Sequence, residues 1–116
     1  MGYIYERGYP VGYHLVLTGI TSTGIITTEE LVRPFKDFSF QIYGIGAAAT
    51  AWSVSLQGSP HTGNKFASLT THQNTSHGNG DILVVSEMPL FRLRILVNSL
   101  TLGSATEINA EVLGMW

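Results

Sequence analysis

From Ala51 to Leu69 the chain reads AWSVSLQGSPHTGNKFASL, and its first half leaves little choice of backbone. Trp52, Val54 and Leu56 alternate with Ser53, Ser55 and Gln57. A period of two puts the two sets on opposite faces of an extended strand. Gly58-Ser59-Pro60 breaks the run, Thr62-Gly63-Asn64 turns it, and the apolar pair Phe66 and Leu69 follows. The result is a hairpin with one apolar and one hydroxyl-rich face, a unit that must bury the first against another sheet.

The same period recurs along the chain. In Phe35–Tyr43, Phe38, Phe40 and Ile42 oppose Ser39, Gln41 and Tyr43. In Phe91–Leu100, Phe91, Leu93, Ile95 and Val97 point inward, with Arg92, Arg94 and Asn98 outward. In Thr106–Val112, Ile108, Ala110 and Val112 oppose Glu107, Asn109 and Glu111. If these last two strands pair as a hairpin, their arginines and glutamates meet across it, at roughly 0.2–1 kcal/mol per pair. Tyr13–Thr18 alternates too and is expected to end at Gly19. Ile20–Thr28 is β-branched, with a turn at Gly24. Thr27 and Glu30 form a weak capping box, so Thr27–Leu31 reads as one helical turn stopped by Pro34, or equally as strand. Gly44–Ala49 is a small-residue connection, Thr70–Gly80 a polar loop, and Asp81–Glu87 a short apolar strand. About seven or eight strands at spacings of ~8–12 residues, with no long helix, predict an all-β fold: an antiparallel, jelly-roll-like β-sandwich.

At 116 residues the chain is one domain, and 44% hydrophobic residues can fill a core. Trp52 is the expected anchor of that core. Residues 1–12 stand apart as an N-terminal arm, with 13–116 as the sandwich. The arm carries Tyr3, Tyr5, Tyr9 and Pro10 among Gly2, Gly8 and Gly12. It reads as a frayed tail with a few anchors, or as an arm that packs on a neighbour and reaches ~40 Å when extended. On the second reading Tyr3, Tyr5, Arg7, Tyr9 and Tyr13 are the interface candidates, and deleting Met1–Gly8 is expected to spare the melting temperature.

Charge excludes some partners. Charged residues make up 12%, about half the usual ~25%. The net charge is −2, and the six bases Arg7, Arg33, Lys36, Lys65, Arg92 and Arg94 form no run. Nucleic acid is therefore not an expected partner. Nor is a membrane, since no apolar run nears the ~20 residues of a spanning helix and the N-terminus lacks the features of a signal peptide. There is no cysteine, hence no disulfide scaffold or thiolate metal site. Sparse charge also suits a chain whose surface is covered in an assembly.

Chemistry-bearing patterns are weak. Gly44-x-Gly46-x-x-Ala49 matches a dinucleotide fingerprint in letters only: it leads into a strand, and no acidic residue lies between Asp37 and Asp81. His14, His61, His72 and His77 lack ligand spacing, so no metal is expected. Asn79-Gly80-Asp81 is a plain turn as readily as a calcium contact. Asn74-Thr75-Ser76 is a glycosylation sequon, relevant only in a secretory pathway. Asp37, Asp81, Glu87, Glu107 and Glu111 include no evident catalytic pair. No nucleophile elbow is present. The expectation is no catalytic residue, no cofactor and no enzyme.

The stretch from Phe40 to Val97 resembles small virion proteins of tailed bacteriophages, of the capsid decoration or cement type. There a tryptophan strand runs into Gly-Ser, a turn, an aromatic and a Leu; here Trp52 to Gly58-Ser59, then Lys65-Phe66 and Leu69. A polar loop, Val84-Val85, Pro89 and Phe91-Arg92-Leu93-Arg94 complete the pattern. It departs at Ser59-Pro60-His61, where such turns often carry Asp-Gly. The resemblance implies a homotrimeric sandwich that binds the major capsid protein on the virion surface and is assembled in the host cytoplasm. The same pattern is similar to discoidin-type and carbohydrate-binding sandwiches and to tail or neck proteins of phages, so those readings stay open.

Overall fold

A computed structural model describes residues 2–60, 65–73, 83–85 and 90–116, with 72–73 and 83–85 as backbone. These hold nine strands and no helix: β1 (Gly2–Glu6), β2 (Tyr9–Ile20), β3 (Gly24–Phe35), β4 (Asp37–Ile45), β5 (Ala51–Ser59), β6 (Ala67–Gln73), β7 (Leu83–Val85), β8 (Leu90–Thr101) and β9 (Glu107–Met115). One sheet runs β1-β2-β9-β4-β7 and the other β3-β8-β5-β6.

The pairing has a simple logic. β5 turns back on β6, and the ribbon continues outward as β4 with β7, β3 with β8 and β2 with β9, every pair antiparallel. Folding that long ribbon over itself, with β4 also beside β9 and β5 also beside β8, closes two sheets. This is the jelly roll, with β1 added at one edge. The expected class is therefore the observed one.

The alternation sorts side chains as read. Phe38, Phe40 and Ile42 of β4, Trp52, Val54 and Leu56 of β5, Leu93, Ile95 and Val97 of β8, and Ile108, Ala110 and Val112 of β9 meet in the core. At the start of β8, Leu90 takes the buried place expected of Phe91, which is half-buried. Gly114 is fitted to this packing. A Cβ there would stand 2.7 Å from Phe38 Cε1.

Several expectations shift. β8 and β9 lie in different sheets, so Arg92 and Arg94 never face Glu107 and Glu111. Arg94 instead lies opposite Gln57, and Glu111 opposite Val16 and Gln41. Residues 27–31 are strand, and β3 runs on through Pro34 by a register shift between Glu30 and Phe35. As an edge strand, β3 can tolerate a residue without an N–H. β2 continues past Gly19 to Ile20. Gly19 takes φ +70° at the bulge, and its N–H donates to the Glu107 carboxylate at 2.6 Å. Thr70–Gln73, read as loop, belong to β6. His61, His77, Asn74-Thr75-Ser76 and Asn79-Gly80-Asp81 lie outside the described residues.

The segment read as an arm is paired into the first sheet. Gly2–Glu6 lie antiparallel to β2 from Tyr9 to His14.

Candidate interaction surface

The turn between β1 and β2 is Arg7-Gly8, flanked by the pair Glu6 and Tyr9. Both turn residues have positive φ, +50° and +82°. That is the type I′ pattern, whose twist matches a hairpin and which favours Asn, Asp or Gly at its centre. Gly8 meets this demand freely. Arg7 does not, and it is the one non-glycine residue with positive φ among those described.

The five candidates separate into two groups. Tyr3 and Tyr13 are used internally. Their rings are 4.9 Å apart, and the Tyr3 ring lies 6.2 Å from that of Phe35. The Tyr3 hydroxyl accepts from the Val32 N–H at 3.0 Å and reaches the Glu30 carbonyl at 3.4 Å. The Tyr13 hydroxyl donates to the Glu29 carboxylate at 3.0 Å. Both contacts tie the first sheet to β3 of the second. Burial, and then the hydrogen bond and negative charge of Glu29, push the Tyr13 phenol well above its ordinary range. It stays neutral and acts as a fastener. Tyr5, Arg7 and Tyr9 point to solvent; Tyr5 is 62% and Tyr9 69% exposed. The register shift between Ile4 and Tyr5 skips Val11 of β2, and the Tyr5 ring, 6.3 Å from that of Tyr3, stays largely exposed.

Two residues that the sequence reading did not single out complete this surface. Trp116, just past β9, is 61% exposed, and its N–H donates to the Val11 carbonyl at 3.0 Å. The Arg33 guanidinium of β3 stacks on the Trp116 ring, 3.6 Å from its centroid, and donates to the Pro10 carbonyl at 3.2 Å. With Glu6, Arg7, Tyr9 and Val11 they line an open cleft of about 490 Å³. Two exposed rings, two guanidiniums and one carboxylate suit adhesion to a protein or ligand surface.

Elsewhere many polar side chains pair with one another. On the outer face of the second sheet, Arg94 Nε donates to Gln57 at 2.7 Å, and Gln57 donates to Ser68 at 3.1 Å. Asn98 donates to Ser55 at 2.9 Å, and the Ser55 and Thr71 hydroxyls are 2.9 Å apart. Arg94 also lies over the Phe66 ring at 4.3 Å. The hydroxyl-rich face of the hairpin is thus knitted together. On the outer face of the first sheet, His14, Ser39, Gln41, Glu111 and Leu113 line a depression of about 160 Å³. Glu111 accepts from Tyr43 at 3.0 Å, and His14 Nε2 is 4.0 Å away. Among the described residues no hydrogen bond joins Ser39 to His14, so Ser39, His14 and Glu111 do not form a nucleophile–base–acid chain. No three metal-ligating side chains cluster among the described residues.

No protein-family model matches the chain, and no curated protein matches it in sequence. Among solved structures it is similar to the SPBc2 prophage-derived protein YomS, with TM-score 0.57 and 12% identity over 93% of this chain and 97% of that one. It also aligns with PirA, with TM-score 0.44 and 9% identity over 96% and 98%. At such identity the likeness to YomS is one of fold: nearly the whole of a prophage-derived protein shares this sandwich.

Proposed function

We propose that the chain is a structural virion protein of a tailed bacteriophage. In this reading it decorates and cements the capsid by binding the major capsid protein, as a homotrimer on the virion surface, and catalyses nothing. The observation that carries the reading is the tip of the β1–β2 hairpin. Tyr5 and Tyr9 are more than three-fifths exposed there, and Arg7 stands between them. A sandwich that buries Phe35, Phe38, Phe40 and Trp52 but presents these rings, with Trp116 beside them, is equipped to adhere. The fold shared with a prophage-derived protein supports the setting.

The test is cosedimentation of the purified chain with capsids lacking it, beside light scattering of the free chain. Trimers that bind such capsids, and lose binding at least about tenfold in a Tyr5→Ala, Tyr9→Ala double variant of unchanged melting temperature, fit the reading. A strict monomer that ignores capsids refutes it. A second reading, a sugar-binding module, draws on the same exposed Tyr9 and Trp116 rings as stacking platforms. A glycan array without hits removes it.

A further inference from the structure

The cleft beside the hairpin tip holds two guanidiniums, Arg7 and Arg33, and among the described residues neither is ion-paired with a carboxylate. The chain has eight acidic residues against six basic ones, so carboxylates were not scarce. Glu6 lines the same cleft yet stands beyond ion-pairing distance of both. Arg33 is held in place by the Trp116 ring and the Pro10 carbonyl. A guanidinium carries five N–H donors in a rigid fork matched to carboxylates, so a fixed one with donors to spare is a prepared anion site. Arg7 occupies a left-handed turn position that Asn or Gly would fill at lower cost, which marks its side chain as the reason for its presence. Beside the charges lie Val11 and the exposed faces of Tyr9 and Trp116.

We infer that this cleft receives an acidic, extended segment of the partner protein, with a carboxylate engaging Arg7 and Arg33 while a neighbouring apolar side chain covers Tyr9 and Trp116. The inference rests on the adhesive role proposed above and names the chemistry of what is bound. The cleft volume of about 490 Å³ lies within the roughly 300–1,000 Å³ of sites that enclose a small ligand. A nucleic-acid backbone fits less well, because it needs a basic stripe and this cleft has two bases and an acid.

The chain reports on the site itself. Trp52 is 3% exposed and Trp116 61%, so acrylamide quenching of the intact protein reads Trp116. The probe is an end-blocked peptide alternating aspartate and leucine; its asparagine–leucine counterpart and oligothymidylate are the comparisons. The aspartate peptide should protect Trp116, the protection should fade as salt rises, and Arg7→Gln should weaken it about tenfold. Arg7→Gln changes only an exposed turn, and Arg33→Gln is the second variant, with unfolding followed for both. Equal protection by the asparagine peptide overturns the inference, as does no protection at millimolar peptide. Better protection by oligothymidylate, or quenching that falls with protein concentration alone, overturns it too; the last would mean that a second copy fills the cleft. If capsids still bind when the peptide does not, the adhesive role stands and this occupant falls.

Discussion

Replacing Arg7 by Asn should raise stability and lower adhesion together. At φ +50° in a type I′ turn, an ordinary L-residue sits at a cost of roughly 1–2 kcal/mol, which Asn largely escapes. No hydrogen bond or ion pair to Arg7 exists among the described residues to offset the change. The expected gain is therefore about 0.5–1 kcal/mol. With an unfolding entropy of roughly 2.1 cal/mol/K per residue over 116 residues, that is a rise of about 2–4 °C in melting temperature. The assay is calorimetry on both proteins, followed by capsid cosedimentation at matched concentrations. Arg7→Asn should melt higher and bind capsids at least about fivefold more weakly, the loss of one charge-assisted contact. A lower melting point refutes the turn argument. A higher one with undiminished binding refutes the claim that the strained position is kept for its side chain.

Three further outcomes follow from the packing. Tyr13 has a raised phenol pKa in the folded state, so its contribution is complete below pH about 10 and is lost as pH rises beyond it. Urea unfolding should show stability falling above that pH, by at most about 1.4 kcal/mol per pH unit from this group, and Tyr13→Phe should flatten the fall. Trp52→Ala should cost ~3–5 kcal/mol by denaturant titration, because the ring is in the core. Deleting Met1–Gly8 should now lower the melting temperature, contrary to the expectation drawn from sequence. It removes the Tyr3 ring from beside Tyr13 and Phe35 and leaves the Val32 N–H without its partner; Tyr3→Phe isolates the hydroxyl, at about 1 kcal/mol.

What could be read in advance was whatever is decided within a strand. Trp52, Val54 and Leu56 had to share a face, and so did Phe38, Phe40 and Ile42, because the pleat admits no other arrangement once one side is buried. What could not be read was decided between strands. The Arg and Glu sets of β8 and β9 look made for each other along the chain, yet such pairs contribute under about 1 kcal/mol each. Winding the ribbon into a jelly roll covers the apolar faces of both strands, a far larger gain, and it sends them to opposite sheets. The cleft was hidden for the same reason: Arg33 and Trp116 are distant in sequence and meet only because β3, the β1–β2 hairpin and the end of β9 converge.

The hairpin itself was hidden by Arg7. Glu-Asn-Gly-Tyr signals a two-residue turn between strands; Glu-Arg-Gly-Tyr carries no such signal and reads as an arm. A residue that obscures a local signal while occupying a conformation it disfavours is not there for the fold, since the fold is better served by its alternatives. Tyr3 and Tyr13 conform to every local rule, and their side chains are consumed in holding β3 to the first sheet. Arg7 breaks one, and its side chain stands in an open cleft beside the exposed rings of Tyr9 and Trp116. Under the proposed role the first pair is structural and the second group adhesive, and it is this division that the Arg7→Asn experiment puts at risk.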